Sequence, residues 1–143
     1  MNAGIDLLHR TLDLLASKDV QCWVFGGWAE ELHGLGPARA HQDIDLLYIA
    51  DDFTAVDLLL HDHPQLHEIH KKRLAHKRAF QLDDVRVELF LVQHDHKGYF
   101  TTFWGQRHDW PGDILSSASQ LPTASIAALR DYREHWRALR RQP

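Results

Sequence analysis

FGGWAEELHGLGPARAHQDIDLLY, residues 25–48, is the stretch on which the reading of this chain turns. It opens where an apolar run, Val20 to Phe25, meets two adjacent glycines. It closes where Asp43 and Asp45 flank Ile44 and a second apolar run begins. The first run is rich in strand formers and halted by glycine, so it reads as a buried strand. WAEELHG reads as a short helix ended by Gly34. GLGPARAHQ is a loop by composition, and DIDLLYIA is the second strand. A strand has period two, so Asp43 and Asp45 share one face while Ile44, Leu46 and Tyr48 share the other.

Two neighbouring carboxylates repel, and burial raises the cost. A divalent cation removes the difficulty, since Mg²⁺ prefers oxygen ligands and commonly takes one or two carboxylates with phosphate oxygens and water. Asp-x-Asp alone fits a solvated strand end or a helix cap equally well. A third acid shifts the balance. VRVELFLV, residues 85–92, alternates so that Arg86, Glu88 and Phe90 share a face, opposite Val85, Val87, Leu89 and Leu91. Glu88 therefore stands in an otherwise apolar strand, where a charge is costly unless paired or metal-bound. Beside residues 43–49 it would complete a three-carboxylate cluster able to hold two metal ions for in-line displacement at phosphorus. The bland alternative pairs Glu88 with Arg86 or a nearby lysine on an exposed face. Gly26-Gly27 ends a strand and opens a helix, where the backbone can approach a ligand and free N–H groups can meet phosphate oxygens.

The combined motif, Gly26, Gly27 and Trp28, a short helix, then Arg39, His41, Asp43, Ile44 and Asp45, resembles the opening of the polymerase-β-like nucleotidyltransferases. Within them it is most similar to the aminoglycoside and lincosamide branch. The close match runs from about residue 23 to 48 and a looser one to 92. The resemblance implies an α+β (α/β) fold, a mixed β-sheet with helices packed on it, like a polymerase-β palm. It implies that Asp43, Asp45 and Glu88 are catalytic at a site for two Mg²⁺ ions, with Asp43 and Asp45 as metal ligands and Glu88 either a further ligand or the group that activates the acceptor hydroxyl. It further implies that Gly26, Gly27, Trp28, Arg39 and His41 hold the nucleoside triphosphate, with ATP the expected donor. The reaction would move a nucleoside monophosphate to a hydroxyl of a small molecule, an aminoglycoside-like antibiotic among the candidates, and release pyrophosphate. Two departures stand out: the third acid is glutamate where relatives often have aspartate, and the chain is short, so acceptor identity does not carry over.

The rest of the chain frames this motif. Its 143 residues suit one minimal domain, 1–143. With 44% hydrophobic and 25% charged residues the composition is that of a globular protein. A formal net charge of −4 argues against a surface that grips duplex DNA, so no nucleic-acid partner is expected. The lone Cys22 allows no internal disulfide and reads as a core residue, which suits a cytoplasmic location. The N-terminus lacks the pattern of a signal peptide, and no apolar run is long enough for a membrane span. A homodimer is left open.

Spacing predicts helices over 4–17, over DDFTAVDLLLHD with Asp51 or Asp52 as cap, and over PTASIAALRDYREHWRAL with Thr123 as cap. In the last, Ile126, Leu129, Trp136 and Leu139 share a face. Residues 76–82 and 85–92 predict a hairpin turning at Asp83-Asp84, and Tyr99 to Trp104 a further short strand. The twelve histidines include His61, His63, His67 and His70, and His94 and His96. They match no strong zinc spacing and read as solvated, although His94 and His96 lie nearer the expected site and could touch the acceptor. KKRLAHKR, residues 71–78, reads as a solvated face, the alternative being that one or two of its cations meet phosphates. Trp23, Trp28, Trp104, Trp110 and Trp136 read as packing residues, with GQRHDWPGD as a loop that could line a pocket. Three rival readings remain: a regulatory nucleotide-binding module without turnover, a protein-modifying or antitoxin-like nucleotidyltransferase, and a histidine-rich metal binder. The second usually shows Gly-Ser where this chain has Gly26-Gly27.

Overall fold

A computed structural model describes residues 3–141, with side chains described for 4–138. Four helices and nine strands follow in the order α1 (Ala3–Ala16), β1 (Cys22–Phe25), α2 (Gly26–Leu32), β2 (Asp43–Ile49), α3 (Thr54–Asp62), β3 (His67–Glu68), β4 (Lys77–Leu82), β5 (Val85–Asp95), β6 (Gly98–Phe103), β7 (Gln106–Asp109), β8 (Leu115–Ala118), β9 (Leu121–Ala124) and α4 (Ile126–Arg141). A single 3-10 turn, His70–Lys72, precedes β4.

The sheet runs β3-β4-β5-β2-β1-β9-β8, with β6 added to β5 and β7 to β6. It is mixed: β2 lies parallel to β5 and β1 parallel to β9, while the remaining pairs are antiparallel. Parallel neighbours cannot be joined by a tight turn. The connection from β2 to β5 accordingly carries α3, β3 and β4, and that detour sets Asp45 directly beside Glu88.

Alternation within each strand decides the layers. Ile44, Leu46, Val87, Leu89, Val24 and Phe80 are fully or almost fully buried and join the leucines of α1 and α3 in one core. Tyr48 stacks on Phe53 at 6.1 Å, placing the start of α3 on that face. The opposite face carries Asp43, Asp45, Arg86 and Glu88 at one end. Beyond the acids it is covered by α4, whose Tyr132 meets Phe25 edge-on at 4.9 Å and Phe90 at 6.4 Å. The β6–β7 hairpin is tied down by a buried relay. Trp110 Nε1 donates to Thr101 Oγ1 at 2.9 Å, which donates to the Leu91 carbonyl at 2.7 Å.

Most expected elements are present, and the differences have physical causes. Asp52 does serve the start of α3, accepting a hydrogen bond from the Thr54 N–H at 2.9 Å. Thr123 does not cap the last helix: it lies in β9, paired across to Val24, and Ser125 Oγ accepts from the Ala128 N–H instead. GQRHDWPGD is not a free loop. Its first half forms β7, turned back on β6 through Trp104 and Gly105, both with positive φ, as a two-residue hairpin connection requires. Trp110 is buried, but Trp104 is 60% exposed and is not a core residue. The inward placement expected for Leu139 falls outside the described side chains.

Candidate active site

The register of two strands builds the site. Asp43 pairs with Arg86 and Asp45 with Glu88 across β2 and β5, and directly paired residues point to the same face. Asp43, Asp45 and Glu88 therefore come together on one face of the sheet. Glu88 is 7% exposed. Burial, the neighbouring Glu88 charge and a shared hydrogen bond with Glu88 push the Asp45 carboxyl up to about 7. Burial also works against ionisation of Glu88, but Lys72 and Lys77 outweigh it and hold that carboxyl below its usual range.

The acids are partnered by cations, Arg86 from β5 itself and Lys72 and Lys77 from the run that reads as a solvated face. Arg86 makes a two-point contact with Asp43, both N···O distances being 3.1 Å. Lys72 Nζ stands 3.0 Å from Glu88 Oε1, Lys77 Nζ 3.5 Å and Arg86 Nε 3.8 Å. The run 71–78 is thus divided. Lys72 and Lys77 serve Glu88, whereas Arg73 and Arg78 pair with Asp57 on α3. The pairing of Glu88 with cations and its membership of an acid cluster hold together, and it is buried rather than on an exposed face. Among the described residues, no group of three or more His, Cys, Asp or Glu side chains is poised to hold a metal ion. Metal binding at the acids would have to draw Asp43 from Arg86 and Glu88 from Lys72. The donor set nevertheless suits Mg²⁺: it is all oxygen, and Asp45 Oδ1 is buried without a hydrogen-bond partner. The histidine groups at 61–70 and 94–96 likewise form no metal cluster among the described residues.

Gly26 closes the site from the side of β1. Its φ is +62°, and a Cβ there would lie 2.4 Å from Asp45 Oδ2. Glycine is required on both counts. Gly27 lines both depressions beside the acids and also faces the following loop: a Cβ would meet Arg39 Nη2 at 2.5 Å and His41 Nδ1 at 3.2 Å. Trp28 is 3% exposed and packs under the His41 ring at 4.3 Å, so it supports His41 from below. Arg39 is exposed and lines two adjoining depressions. One, of about 290 Å³, runs along residues 39–43 to Asp45. The other, of about 620 Å³, lies between α2 and α4, against Phe25, Tyr132, Arg133, Trp136 and Arg137. Arg133 pairs with Glu30, joining the two helices across it.

Glu31 is the organiser that sequence reading missed. Its Oε1 accepts from the Arg39 backbone N–H and is bonded to His41 Nε2, each at 2.9 Å. The hydrogen bonds from His41 and from the Arg39 backbone hold its carboxyl below the usual range. A glutamate four residues after a Gly-Gly, with arginine and histidine eight and ten residues further on, was the available signal. Glu31→Ala is expected to destabilise the fold by about 1–2 kcal/mol by stranding the partners of these bonds. Glu31→Gln, which keeps an acceptor oxygen, should retain most of that stability in denaturant titration.

The mixed sheet, the facing acids and the Gly-Gly turn are those of a nucleotidyltransferase fold, and solved structures agree. The lincosamide antibiotic adenylyltransferase LnuA, solved with lincomycin, aligns at TM-score 0.66 and 19% identity over 82% of this chain and 78% of its own. ANT(2")-Ia, solved in complex with adenylyl-2"-tobramycin, aligns at 0.68 and 16% identity over 99% and 82%. A Thermotoga maritima protein described as a nucleotidyltransferase aligns at 0.58 and 18% over 95% and 84%. No curated protein sequence matches. More narrowly, the model of the aminoglycoside-2''-adenylyltransferase family matches residues 7–125, and the chain belongs to that family. It is thus a nucleotidyltransferase by family, as its opening motif implied.

Proposed function

We propose that the protein transfers the adenylyl group of ATP to a hydroxyl of a small molecule in an Mg²⁺-dependent reaction, using Asp43, Asp45 and Glu88. The observation that carries this reading is the register Asp45 to Glu88, with Gly26 against Asp45. Three carboxylates on one face, beside a backbone turn without a Cβ, suit a metal–triphosphate ligand once Asp43 leaves Arg86 and Glu88 leaves Lys72. Bound Mg²⁺ would offset triphosphate charge and stabilise the transition state.

The residues then divide the work. Asp43 and Asp45 are the metal ligands and Glu88 completes their set. The N–H groups at Gly26 and Gly27, with Arg39, receive phosphate oxygens. His41, fixed by Glu31 and Trp28, holds the Arg39 loop. Glu88, kept ionised by Lys72 and Lys77, accepts the proton of the acceptor hydroxyl as its oxygen bonds to the α-phosphorus. The bond from that phosphorus to the bridging oxygen breaks, and pyrophosphate leaves. A regulatory module without turnover is the less economical reading, because all three acids are present on one face of the sheet.

Pyrophosphate release from ATP and Mg²⁺, measured over a panel of hydroxyl acceptors, tests the reading. Turnover unaffected by Asp43→Asn or Glu88→Gln would overturn it. Gly27→Val bears on the nucleotide side. The added side chain must displace the Arg39 guanidinium, so ATP affinity is expected to fall at least about tenfold, near 1.4 kcal/mol. Equal affinities by calorimetry in two well-folded proteins would mean that Gly27 and Arg39 serve only the loop.

A further inference from the structure

The cleft of about 620 Å³ between α2 and α4 starts at Gly26 and Gly27 and is walled on the α4 side by Tyr132, Arg133, Trp136 and Arg137. Gly27 and Arg39 also line the depression that reaches Asp43 and Asp45, so the two spaces adjoin at those residues. The function proposed above puts the triphosphate at this junction, and the inference rests on that reading. There α4 does no more than cover the sheet.

Charge and ring geometry give the helix a larger part. Three arginines, Arg39, Arg133 and Arg137, face the cleft against a single acid, Glu30. Such a surface repels a polyamine and suits an anion. Arg133 is held by Glu30, in a pair whose side chains are 55% and 30% exposed. A pair of single charges so open to water is weak. A triphosphate offers several charges and can meet a guanidinium at two points. It is therefore the stronger partner for Arg133.

The rings of α4 differ in what they leave open. Tyr132 lies nearly parallel to Trp110, at 15° with centroids 6.0 Å apart, so one of its faces is occupied. Trp136 is half-buried, and its ring neighbours Tyr132, Trp104 and His135 all stand edge-on, between 69° and 80°. Among the described residues no ring is stacked parallel to it. It lies one helical turn beyond Tyr132 and lines the same cleft. A flat heterocycle entering there gains an offset stack that the protein itself does not use.

We propose that α4 is a nucleotide-binding wall: the adenine ring of ATP stacks on Trp136, and Arg133 leaves Glu30 to hold the terminal phosphates, so that Glu30 competes with the nucleotide for one guanidinium.

The test is calorimetry on the full chain with Mg²⁺, using a non-hydrolysable ATP analogue and inorganic tripolyphosphate, which carries the phosphates without the base. If the analogue does not bind the wild type, the proposed function fails and this inference with it. If it binds, Trp136→Ala is expected to weaken the analogue at least about fivefold and to leave tripolyphosphate unchanged. Trp136→Phe, which keeps a ring, should retain most of the affinity. Trp136→Leu takes the place of the alanine variant if that one does not fold. Arg133→Gln should weaken both ligands at least about threefold, and Glu30→Gln should strengthen both by a similar factor. Each of these two variants breaks the same pair, so their melting curves should shift alike. Opposite changes in affinity then separate competition from a merely structural tie. Unchanged analogue affinity without the Trp136 ring, a loss shared equally by tripolyphosphate, or binding that is unchanged or weaker in Glu30→Gln would each overturn the proposal while nucleotide binding by the wild type stands.

Discussion

Asp45→Asn is expected to lower adenylyl transfer by about a thousandfold or more, the scale of losing a group that stabilises transition-state charge, while making the metal-free protein more stable. The two effects share one cause. Burial and Glu88 raise the Asp45 carboxyl to about 7 in the folded chain, well above its value of about 4 when unfolded. Between these values the folded state holds a proton that the unfolded state has released, so stability falls as pH rises. Asparagine never ionises, and its amide can still donate to Glu88. In EDTA, melting curves of the two proteins should nearly coincide at about pH 4 and diverge by pH 8. There the variant should lead by about 1–3 kcal/mol, a discounted share of the full shift because Glu88 titrates with it. Equal melting temperatures at pH 8 would mean that Asp45 is not held at a cost. Unchanged turnover would remove it from the reaction.

Gly26→Ala should have the largest effect on folding of any single methyl added to this chain. The backbone at φ +62° disfavours every L side chain, and the new Cβ would sit 2.4 Å from Asp45 Oδ2. Left-handed strain of about 1–2 kcal/mol adds to overpacking of about 1–3 kcal/mol. We expect a loss near 3 kcal/mol and a fall in melting temperature of about 10 °C. Relief is available only if Asp45 moves, so activity should vanish even where the protein still folds. The double variant Gly26→Ala/Asp45→Ala should recover part of the stability and none of the activity. Additive losses in that cycle would show that the two residues do not touch.

What the sequence revealed followed from local periodicity. Alternation alone placed Asp43 and Asp45 on one face and Glu88 on the face of Arg86 and Phe90. The Gly-Gly motif marked the start of a helix, and the acids of β2 and β5 are indeed neighbours. What it hid was decided at long range. Lys72 and Lys77 look like any surface basic run until β4 is laid against β5. Glu31 gains its role from residues eight and ten positions away in an irregular loop, where no period applies. Pro122 and Thr123 imitate a helix entrance, and only pairing with Val24 makes them a strand. Trp104 obeyed the turn rather than hydrophobic patterning, which assigns large rings to the interior.

The pairing of β1 with β9 also bears on how the chain comes to be folded. β1 lies between β2 and β9, and its parallel partner Thr123 is separated from Val24 by most of the sequence. The helix that follows β9 supplies Tyr132 to the cover over Phe25 and Phe90. During synthesis the ribosome would therefore release the Gly-Gly turn and all three acids well before the strand and helix that enclose them. Contacts so distant in sequence form slowly, and a nascent chain awaiting them exposes an unpaired β1 edge and uncovered aromatic rings. Such a species invites association with other chains and depends on chaperones for its yield. Slowing translation over the codons for β8, β9 and α4 should therefore lower the soluble fraction more than the same slowing over those for α1 and β1.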